Sequence, residues 1–361
     1  MSGPPILVTG GAGFIGCNIA DRLASEGRDV LLYDSLIRPG VRANLDWLGE
    51  RHAGRITPVI ADIGDRDTLA RAVGEAGAVF HMAAQVAVTT SLIEPRADFE
   101  ANVLGTLNLL EALRAKPEPT PLVFASTNKV YGDLGDVALT RGTRGYFPAD
   151  PALRTFGVGE EQPLDFHTPY GCSKGAADQY VLDYARSFGL PAAALRMSCI
   201  YGERQLGTED QGWVAHFLIR AIEGQPITLY GDGHQVRDIL HVSNAVEAYL
   251  AAWRRIDQIS GTAFNLGGGP ENAVSLRALI DHIADLLDRE VSCHMEDWRA
   301  GDQRYFVADT RAADQALRLG PKVPWRRGVE RLARWLAAER GVALPPSSRR
   351  VVPIRGEAAA V

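Results

Sequence analysis

The sequence of 361 residues is poor in the features that mark disulfide-rich and metal-dependent proteins. Its four cysteines, Cys17, Cys172, Cys199 and Cys293, show no C-x-x-C spacing, which indicates reduced thiols rather than a disulfide framework or a zinc site. The eight histidines show no H-E-x-x-H or other ligand spacing. We therefore expect no structural or catalytic metal.

Three further absences narrow the class of protein. No apolar run approaches the ~18–20 residues that span a bilayer. The N-terminus has neither the basic region nor the apolar core of a signal peptide. The formal net charge of −6 argues against a nucleic-acid surface, which needs a concentrated basic face. We therefore expect a cytoplasmic enzyme with no membrane and no nucleic-acid partner, built from one large or two closely joined domains.

The first 200 residues alternate short, β-rich apolar runs with longer helical patterns. This rhythm predicts a Rossmann-type α/β fold, in which a doubly wound parallel sheet is covered on both faces and binds its ligand at the carboxyl ends of the strands. The predicted strands are 6–8, 30–33, 56–60, 78–81, 122–125 and 192–196. The predicted helices between them are 14–26, 66–73, 98–114 and 170–187.

The first strand leads directly into a glycine-rich loop that opens a helix, Gly10-Gly11-Ala12-Gly13-Phe14-Ile15-Gly16. In this pattern Gly10 permits a tight turn, Gly13 lets the backbone approach a pyrophosphate, and Gly16 lets helix and strand pack closely. The N-terminus of the helix offers free N–H groups and a partial positive charge to phosphates. The loop therefore predicts a dinucleotide site that includes Phe14 and Ile15.

The acidic residue Asp34 ends the second strand, 18 residues beyond Gly16, where a carboxylate binds the ribose hydroxyls of adenosine. It favours NAD over NADP because it repels a 2′-phosphate, although Arg38 nearby leaves NADP as an alternative. Four residues after the third and fourth strands complete the predicted cofactor contacts, namely Asp62 and Ile63 at the adenine and Ala83 and Ala84 beside the cofactor.

Tyr170 and Lys174 are one helical turn apart, so their side chains fall on the same face of a predicted helix. An adjacent ammonium, together with the positive nicotinamide ring of NAD⁺, favours phenolate and is expected to lower the tyrosine pKa from its usual ~10. Such a phenolate can remove a hydroxyl proton while hydride leaves the same carbon. Ser126 and Thr127 follow the fifth strand, where a hydroxyl can orient the reacting oxygen.

The domain boundaries follow from the same patterns. Residues 1–199 are expected to form the NAD-binding domain, with a return segment near 234–270 in which 238–241 and 263–266 rejoin the sheet. Residues 200–343 are predicted to form a smaller, mixed α/β portion that binds substrate. The tail 344–361 is predicted to be disordered.

A long aperiodic stretch, 133–168, interrupts the alternation just before Tyr170. Loops of this length are usually functional lids or disordered linkers. Its position beside the predicted catalytic pair favours a lid near the active site.

Over roughly residues 5–340 these motifs resemble the extended short-chain dehydrogenase/reductases that act on nucleotide sugars, the NAD-dependent epimerase/dehydratase family. Several longer strings are similar to one branch of that family, the CDP-paratose 2-epimerases, also called CDP-tyvelose epimerases. The strings that carry this resemblance are 85–91, 126–133, 165–180, 210–214 and 235–238.

The resemblance implies a 2-epimerase in which hydride passes from C2 of a CDP-linked hexose to bound NAD⁺ and returns to the opposite face of the 2-keto sugar. A 4-epimerase or another NAD-dependent sugar-nucleotide enzyme remains the alternative, and the nucleobase and hexose stay open. The resemblance also implies a homodimer or homotetramer paired through the 98–114 and 170–187 helices.

The same resemblance implies roles for individual residues. Thr127 joins Tyr170 and Lys174 as a catalytic residue and contacts the substrate, with Ser126 as the close alternative and as a cofactor contact. Arg237 and Arg304 hold the diphosphate, for which the planar guanidinium fork is suited. The implied walls of the substrate pocket, with packing as their alternative role, are Gln85, Thr89, Cys199 and Gln211.

Related 4,6-dehydratases carry an Asp-Glu pair directly after the catalytic threonine, where it eliminates water from the keto intermediate. Here those positions hold Asn128 and Lys129, neither of which is a carboxylic acid, so dehydration is disfavoured. Asn128 is expected to hydrogen-bond a sugar hydroxyl. For Lys129, catalytic support and a structural ion pair remain equal alternatives.

Overall fold

The computed structural model describes residues 3–299 and 301–345, so the predicted tail 344–361 lies outside the described residues from position 346 onward. The strands of the described part, in chain order, are β1 (Ile6–Thr9), β2 (Val30–Asp34), β3 (Ile56–Ile60), β4 (Ala78–His81), β5 (Leu122–Thr127), β6 (Leu139–Arg141), β7 (Tyr146–Pro148), β8 (Ala192–Met197), β9 (Cys199–Tyr201), β10 (Ile227–Tyr230), β11 (Val236–His241), β12 (Ala263–Leu266), β13 (Ala273–Ser275), β14 (Cys293–Glu296) and β15 (Tyr305–Phe306).

The helices of the described part are α1 (Phe14–Ser25), α2 (Val41–Arg51), α3 (Arg66–Glu75), α4 (Val88–Ile93), α5 (Pro95–Phe99), α6 (Gly105–Arg114), α7 (Pro151–Phe156), α8 (Thr168–Phe188), α9 (Trp213–Ile222), α10 (Val242–Arg254), α11 (Ile256–Ile259), α12 (Leu276–Leu287), α13 (Arg311–Leu317) and α14 (Trp325–Glu339). A π-helical segment, Glu100–Leu104, joins α5 to α6, and 3₁₀ turns form at Asn128–Tyr131 and Pro270–Asn272. Among these helices, none combines the length and apolar character that crossing a membrane requires.

A seven-stranded parallel sheet, in the order β12-β8-β5-β4-β1-β2-β3, forms the centre of the molecule. The six predicted strands are all present in it, which confirms the Rossmann-type α/β fold. Strand order reverses between β1 and β4, whose last residues, Thr9 and His81, are register partners. This reversal is the position at which doubly wound sheets bind their ligands.

Helices cover both faces of this sheet because successive side chains of a buried strand point in opposite directions. In β1, Ile6 and Val8 enter a core that includes side chains of α1, α2 and α10, whereas Leu7 enters a core with α3, α6 and α8. A separate core forms between α9, α12 and α14 and the strands β10 and β11. Helix α8, which carries Tyr170 and Lys174, packs against the main sheet through Ala177 and Val181.

The expected return segment is only half correct. Strand β12 does pair with β8 at the edge of the main sheet, as predicted for 263–266. Strand β11, which contains the predicted strand 238–241, instead pairs with β9, β13 and β15 in a smaller sheet. Strand β12 therefore forms the edge of the main sheet beside β8, and β11 belongs to the smaller sheet.

The stretch 133–168 is folded rather than open. It contains the antiparallel pair β6–β7 and helix α7. Its backbone is held by hydrogen bonds from Tyr146 N–H to the His234 carbonyl (2.9 Å) and from Val158 N–H to the Val307 carbonyl (2.7 Å). Its own residues Leu134 and Val158 are buried. The two hydrogen bonds connect the stretch to the 200–343 portion of the chain.

Candidate active site

The glycine-rich loop packs so closely against backbone atoms that a side chain at Gly10 or Gly16 would clash with them. Gly10 has a φ of +64°, and a Cβ there would lie 2.7 Å from the Ala83 backbone nitrogen. A Cβ on Gly16 would lie 2.2 Å from the Gly10 carbonyl oxygen. Helix α1 then begins after Gly13 with no side chain capping its N-terminus. The loop therefore leaves backbone N–H groups for a phosphate, as a dinucleotide requires.

Asp34 lies at the end of β2, beside this loop. Its Oδ2 accepts a hydrogen bond from Ala12 N–H (3.0 Å), and its Oδ1 accepts one from Leu36 N–H (2.8 Å). Arg38, which left NADP as an alternative, donates to the Gln211 side chain. The carboxylate is thus fixed beside the glycine-rich loop, where the ribose of adenosine is predicted to bind, and the nearby Arg38 guanidinium contacts Gln211.

The other predicted cofactor residues line the same end of the sheet. Asp62 Oδ1 accepts a hydrogen bond from Gly64 N–H (2.8 Å), and Ile63 is buried against Gly105 at the start of α6. Ala83 N–H donates to Thr9 Oγ1 (3.3 Å), which places the Ala83 and Ala84 turn beside β1.

Tyr170, Lys174 and Thr127 come together in the interior, at the carboxyl end of β5. Tyr170 is 9% exposed and Lys174 3% exposed. The Thr127 hydroxyl donates to Asn128 Oδ1 (3.4 Å) and lies close enough to the Tyr170 phenol to lower its pKa. The Lys174 ammonium lies 4.2 Å from the centre of the Phe124 ring. The three predicted catalytic residues therefore share one buried site.

Burial changes the pKa of both members of this pair. It raises the pKa of Tyr170 to about 12, and the neighbouring Thr127 hydroxyl partly opposes the rise. Burial lowers the pKa of Lys174 to about 7, and the carboxylates of Asp178 and Asp98 oppose that change. Desolvation of the phenolate thus outweighs the effects of the neighbouring protein groups. The lowering of the tyrosine pKa by Lys174 together with NAD⁺ stays a prediction.

Ser126 and Thr127 point to different partners, which separates their roles. The Ser126 hydroxyl donates to Asp178 Oδ2 (2.6 Å), and that carboxylate also forms a two-pronged ion pair with Arg196 (2.9 and 3.1 Å). Thr127 is thus the hydroxyl that meets Tyr170. Sequence reasoning missed Asp178 and Arg196, although Asp178 lies one further turn along the face of Tyr170 and Lys174.

The two residues at the dehydratase positions contact a segment near the C-terminal end of the fold. Asn128 Nδ2 donates to Gln303 Oε1 (3.1 Å), and Lys129 Nζ donates to the Gly301 carbonyl (3.0 Å). Burial lowers the pKa of Lys129 to about 8, helped by the charge of Arg237. Both residues thus contact the 301–303 segment, and neither supplies a carboxylic acid.

The two predicted diphosphate arginines lie on segments that pair with each other. Val236 N–H donates to the Arg304 carbonyl (3.0 Å), so Arg304 lies beside the residue that precedes Arg237. Arg237 is buried and forms an ion pair with Asp302 (2.7 Å). Arg304 is exposed and lies 5.1 Å from the Trp298 ring centre.

The four predicted pocket walls lie in different places. Gln85 Nε2 donates to Asp98 Oδ1 (2.9 Å), behind the catalytic helix. Thr89 Oγ1 is buried and has no hydrogen-bond partner within the described residues. Cys199 Sγ accepts from Trp213 Nε1 (3.3 Å), and Gln211 contacts Arg38. Gln211 therefore lies beside Arg38, near the predicted adenosine contacts.

Comparisons with known proteins agree with this geometry. The family model described as NAD dependent epimerase/dehydratase family matches residues 6–267. The CDP-paratose 2-epimerase of Salmonella typhi is 41% identical over 340 residues, which cover 92% of this chain and 99% of that protein. A putative UDP-glucose 4-epimerase of Methanocaldococcus jannaschii is 32% identical over 337 residues, which cover 92% and 98%.

Solved structures show the same likeness. The UDP-glucose 4-epimerase of Thermus thermophilus, in complex with NAD, aligns with a TM-score of 0.78 and 31% identity over 94% of this chain and all of that chain. The UDP-glucose 4-epimerase of Thermotoga maritima, with UDP-glucose, aligns with a TM-score of 0.79 and 27% identity. The alignment covers 93% of this chain and 99% of that chain.

Proposed function

Because this chain belongs to the NAD dependent epimerase/dehydratase family, we propose that it is a nucleotide-sugar 2-epimerase that inverts C2 of a CDP-linked hexose. The observation that carries the proposal is the likeness to the Salmonella CDP-paratose 2-epimerase, which extends along almost the whole of both chains. It is closer than the likeness to the putative 4-epimerase of Methanocaldococcus. Asn128 and Lys129 support epimerisation over dehydration because no carboxylic acid follows Thr127.

Each part of the site has a role in this proposal. Bound NAD supplies the hydride acceptor and, in the return half of the cycle, the hydride donor. Tyr170 takes the proton of the C2 hydroxyl and later gives it back, and Thr127 orients the phenol and the reacting oxygen. The charge of the Lys174 ammonium favours the phenolate. Because the pair is buried, bulk water is kept from the keto sugar.

The remaining side chains bind the two ligands. The glycine-rich loop and Asp34 hold the cofactor, and the acid disfavours a 2′-phosphate. Arg237 and Arg304 hold the diphosphate of the substrate, so the hexose can turn its other face toward the nicotinamide while the nucleotide stays bound. Because the sugar receives back the hydride that it gave to NAD, the proposed reaction is redox-neutral.

The proposal is tested with a panel of CDP-, UDP- and GDP-hexoses incubated in deuterium oxide, with C2 and C4 read by NMR. We expect inversion at C2 of a CDP-hexose with protium retained at that carbon, because the same hydride returns. Inversion at C4 would favour the 4-epimerase alternative. Deuterium at C2 would contradict hydride return and indicate deprotonation.

We also propose that the chain forms a homodimer, alone or within a homotetramer, through the helices that include α5, α6 and α8. Large apolar side chains on these helices and on the π segment between them are exposed to solvent in the single chain: Phe99, Leu104, Tyr180 and Phe188. Exposed apolar patches of this kind are typical of protein interfaces.

The double variant Leu104→Glu/Tyr180→Glu is therefore expected to sediment as a monomer, because carboxylates buried in a dimer would lack counter-charges. The measurement is sedimentation velocity. Ile37→Glu is the matched control, since Ile37 is 83% exposed on the loop between β2 and α2, and it should leave the mass unchanged. An unaltered assembly of the double variant would place the interface elsewhere.

A further inference from the structure

The side chain of Gln303 is fully buried and contacts two parts of the turn that follows β5. Its Nε2 donates a hydrogen bond to the Gly132 carbonyl (2.6 Å), and its Oε1 accepts one from Asn128 Nδ2 (3.1 Å). Asn128 Oδ1 in turn accepts a hydrogen bond from the Thr127 hydroxyl (3.4 Å). A chain of three hydrogen bonds thus connects the Gly132 carbonyl with the predicted catalytic hydroxyl.

The Gly132 carbonyl fixes the direction of this chain, because a carbonyl oxygen can only accept hydrogen bonds. The amide nitrogen of Gln303 must therefore face Gly132, which leaves the amide oxygen of Gln303 for Asn128. Asn128 then presents its NH₂ group to Gln303 and its oxygen to Thr127. Turning both amides over would place the Gln303 oxygen against the Gly132 carbonyl, and two buried acceptors would then face each other without a donor. Gln303 therefore imposes one orientation on the Asn128 amide.

The Thr127 hydroxyl is also held from a second side. The backbone N–H of Lys129 donates to Thr127 Oγ1 (3.2 Å). The hydroxyl thus donates to the Asn128 side chain and accepts from the backbone of the next residue. A threonine oxygen has two lone pairs, so one remains for the Tyr170 phenol or for a sugar hydroxyl. The direction in which Thr127 can act is therefore set by the residues behind it.

The backbone around Gln303 contacts the predicted diphosphate site. Arg237 donates to the Gln303 carbonyl and forms an ion pair with Asp302 (2.7 Å). Lys129 Nζ donates to the Gly301 carbonyl (3.0 Å), which holds the start of the same segment. Gln303 thus has its side chain on the catalytic turn and its main chain on a predicted diphosphate arginine.

We propose that Gln303 is a positioning residue, which fixes the Asn128 amide and through it the Thr127 hydroxyl. By its backbone it also joins this turn to the segment that holds Arg237. The role rests on the proposed function, in which Thr127 orients the phenol and the reacting oxygen. Gln303 touches neither the sugar nor NAD in this proposal and acts through Asn128.

Gln303→Met removes both side-chain hydrogen bonds with little change in side-chain volume. We expect kcat to fall by about 10–100-fold, the scale that a catalytic group misplaced by about 1 Å produces. KM should change little, because Arg237 contacts the backbone of residue 303, which the variant keeps. Gln315→Met is the matched control, since Gln315 is exposed on α13, and it should leave both constants unchanged. A raised KM with an unaltered kcat would overturn the proposal.

A double-mutant cycle separates an effect through Asn128 from a general disturbance of the segment. Asn128→Leu removes the amide and keeps a side chain of similar shape. If Gln303 acts through Asn128, adding Gln303→Met to Asn128→Leu should lower kcat little further. Two losses that simply multiply would show that the residues act independently, and the assignment to Asn128 would be wrong. The cycle uses whichever nucleotide sugar is turned over.

The hydrogen bonds can also be measured in the holoenzyme without any sugar. The chain has eight asparagines, so ¹⁵N labelling of their side-chain amides gives eight pairs of proton signals, and Asn128→Leu identifies the pair of Asn128. Exchange of these protons with water should be at least about tenfold slower than in free asparagine, and Gln303→Met should accelerate it.

Exchange at the free rate in the unmodified protein would refute the hydrogen-bond chain, even if Gln303→Met does not fold. Slow exchange that Gln303→Met leaves unchanged would equally refute the role of Gln303. Because the exchange measurement needs no substrate, its outcome is independent of the hexose panel. A failure of this proposal can thus be distinguished from a failure of the proposed function.

Discussion

Replacing Tyr170 by phenylalanine is expected to lower kcat by about 10²–10⁴-fold, the contribution of a positioned general base. The ring is buried and keeps its packing in the variant, so folding and NAD content should change little. The loss is measured as turnover of the nucleotide sugar that proves active in the panel. Thermal unfolding reports on folding, and the absorbance of released NAD reports on the NAD content.

Tyr180→Phe is the matched control because it removes a phenol from the same helix, away from Tyr170, and keeps the ring that the proposed dimer interface would bury. Its turnover should equal that of the unmodified protein. If Tyr170→Phe kept full turnover, another group would have to be the base, and the catalytic assignment would fail. Since burial raises the pKa of Tyr170 to about 12, the proposed mechanism requires positive charge beside the phenol, for which Lys174 and bound NAD⁺ are the proposed sources.

Gly16→Ala is expected to be the most damaging change in the cofactor loop. The new Cβ would lie 2.2 Å from the Gly10 carbonyl oxygen and 2.9 Å from Gly11 Cα, both of them backbone atoms that cannot move aside alone. Overpacking of this kind lowers the free energy of unfolding by about 1–3 kcal/mol. A shifted loop should also bind NAD about tenfold or more weakly, the change that ~1.4 kcal/mol of lost contact produces.

Calorimetric titration of NAD and thermal unfolding measure both effects. Gly49→Ala provides the control, because Gly49 also lies in a helix, α2, but its added Cβ meets no atom within 4 Å. That variant should keep its NAD affinity and gain up to about 1 kcal/mol of stability from the better helix former. Equal NAD affinity in Gly16→Ala and the unmodified protein would contradict the role of the loop.

The sequence predicts best those structural features that depend only on residues close together in the chain. Runs such as 6–8 and 122–125 are continuous and apolar because parallel strands are buried on both faces, and each formed the strand expected. The glycine spacing and the one-turn separation of Tyr170 and Lys174 likewise depend on only a few neighbouring residues. Such features can be recognised without knowing how distant segments pack.

Features that depend on distant partners could not be predicted in this way. Whether β11 or β12 extends the main sheet depends on pairing with segments far away in the sequence, which no local pattern shows. The raised pKa of Tyr170 depends on burial, which residue spacing does not show. For Asp178 a signal was available, since Tyr170, Lys174 and Asp178 continue one helical face. No spacing pattern pointed to Asp98, because its partners Gln85 and Ser173 lie on other elements.

The position of β12 has a consequence for how this protein is made. When the first 200 residues have emerged from the ribosome, β1 to β5 and β8 are available for folding. Strand β12, which pairs with β8, has not yet emerged. Helix α10, whose Tyr249 and Trp253 contact Phe80 of β4, is missing at that stage as well. The nascent sheet thus carries an open edge and an uncovered apolar surface. The cofactor-binding half therefore completes its folding only after residue 266 has left the exit tunnel, and chaperones have this interval in which to bind.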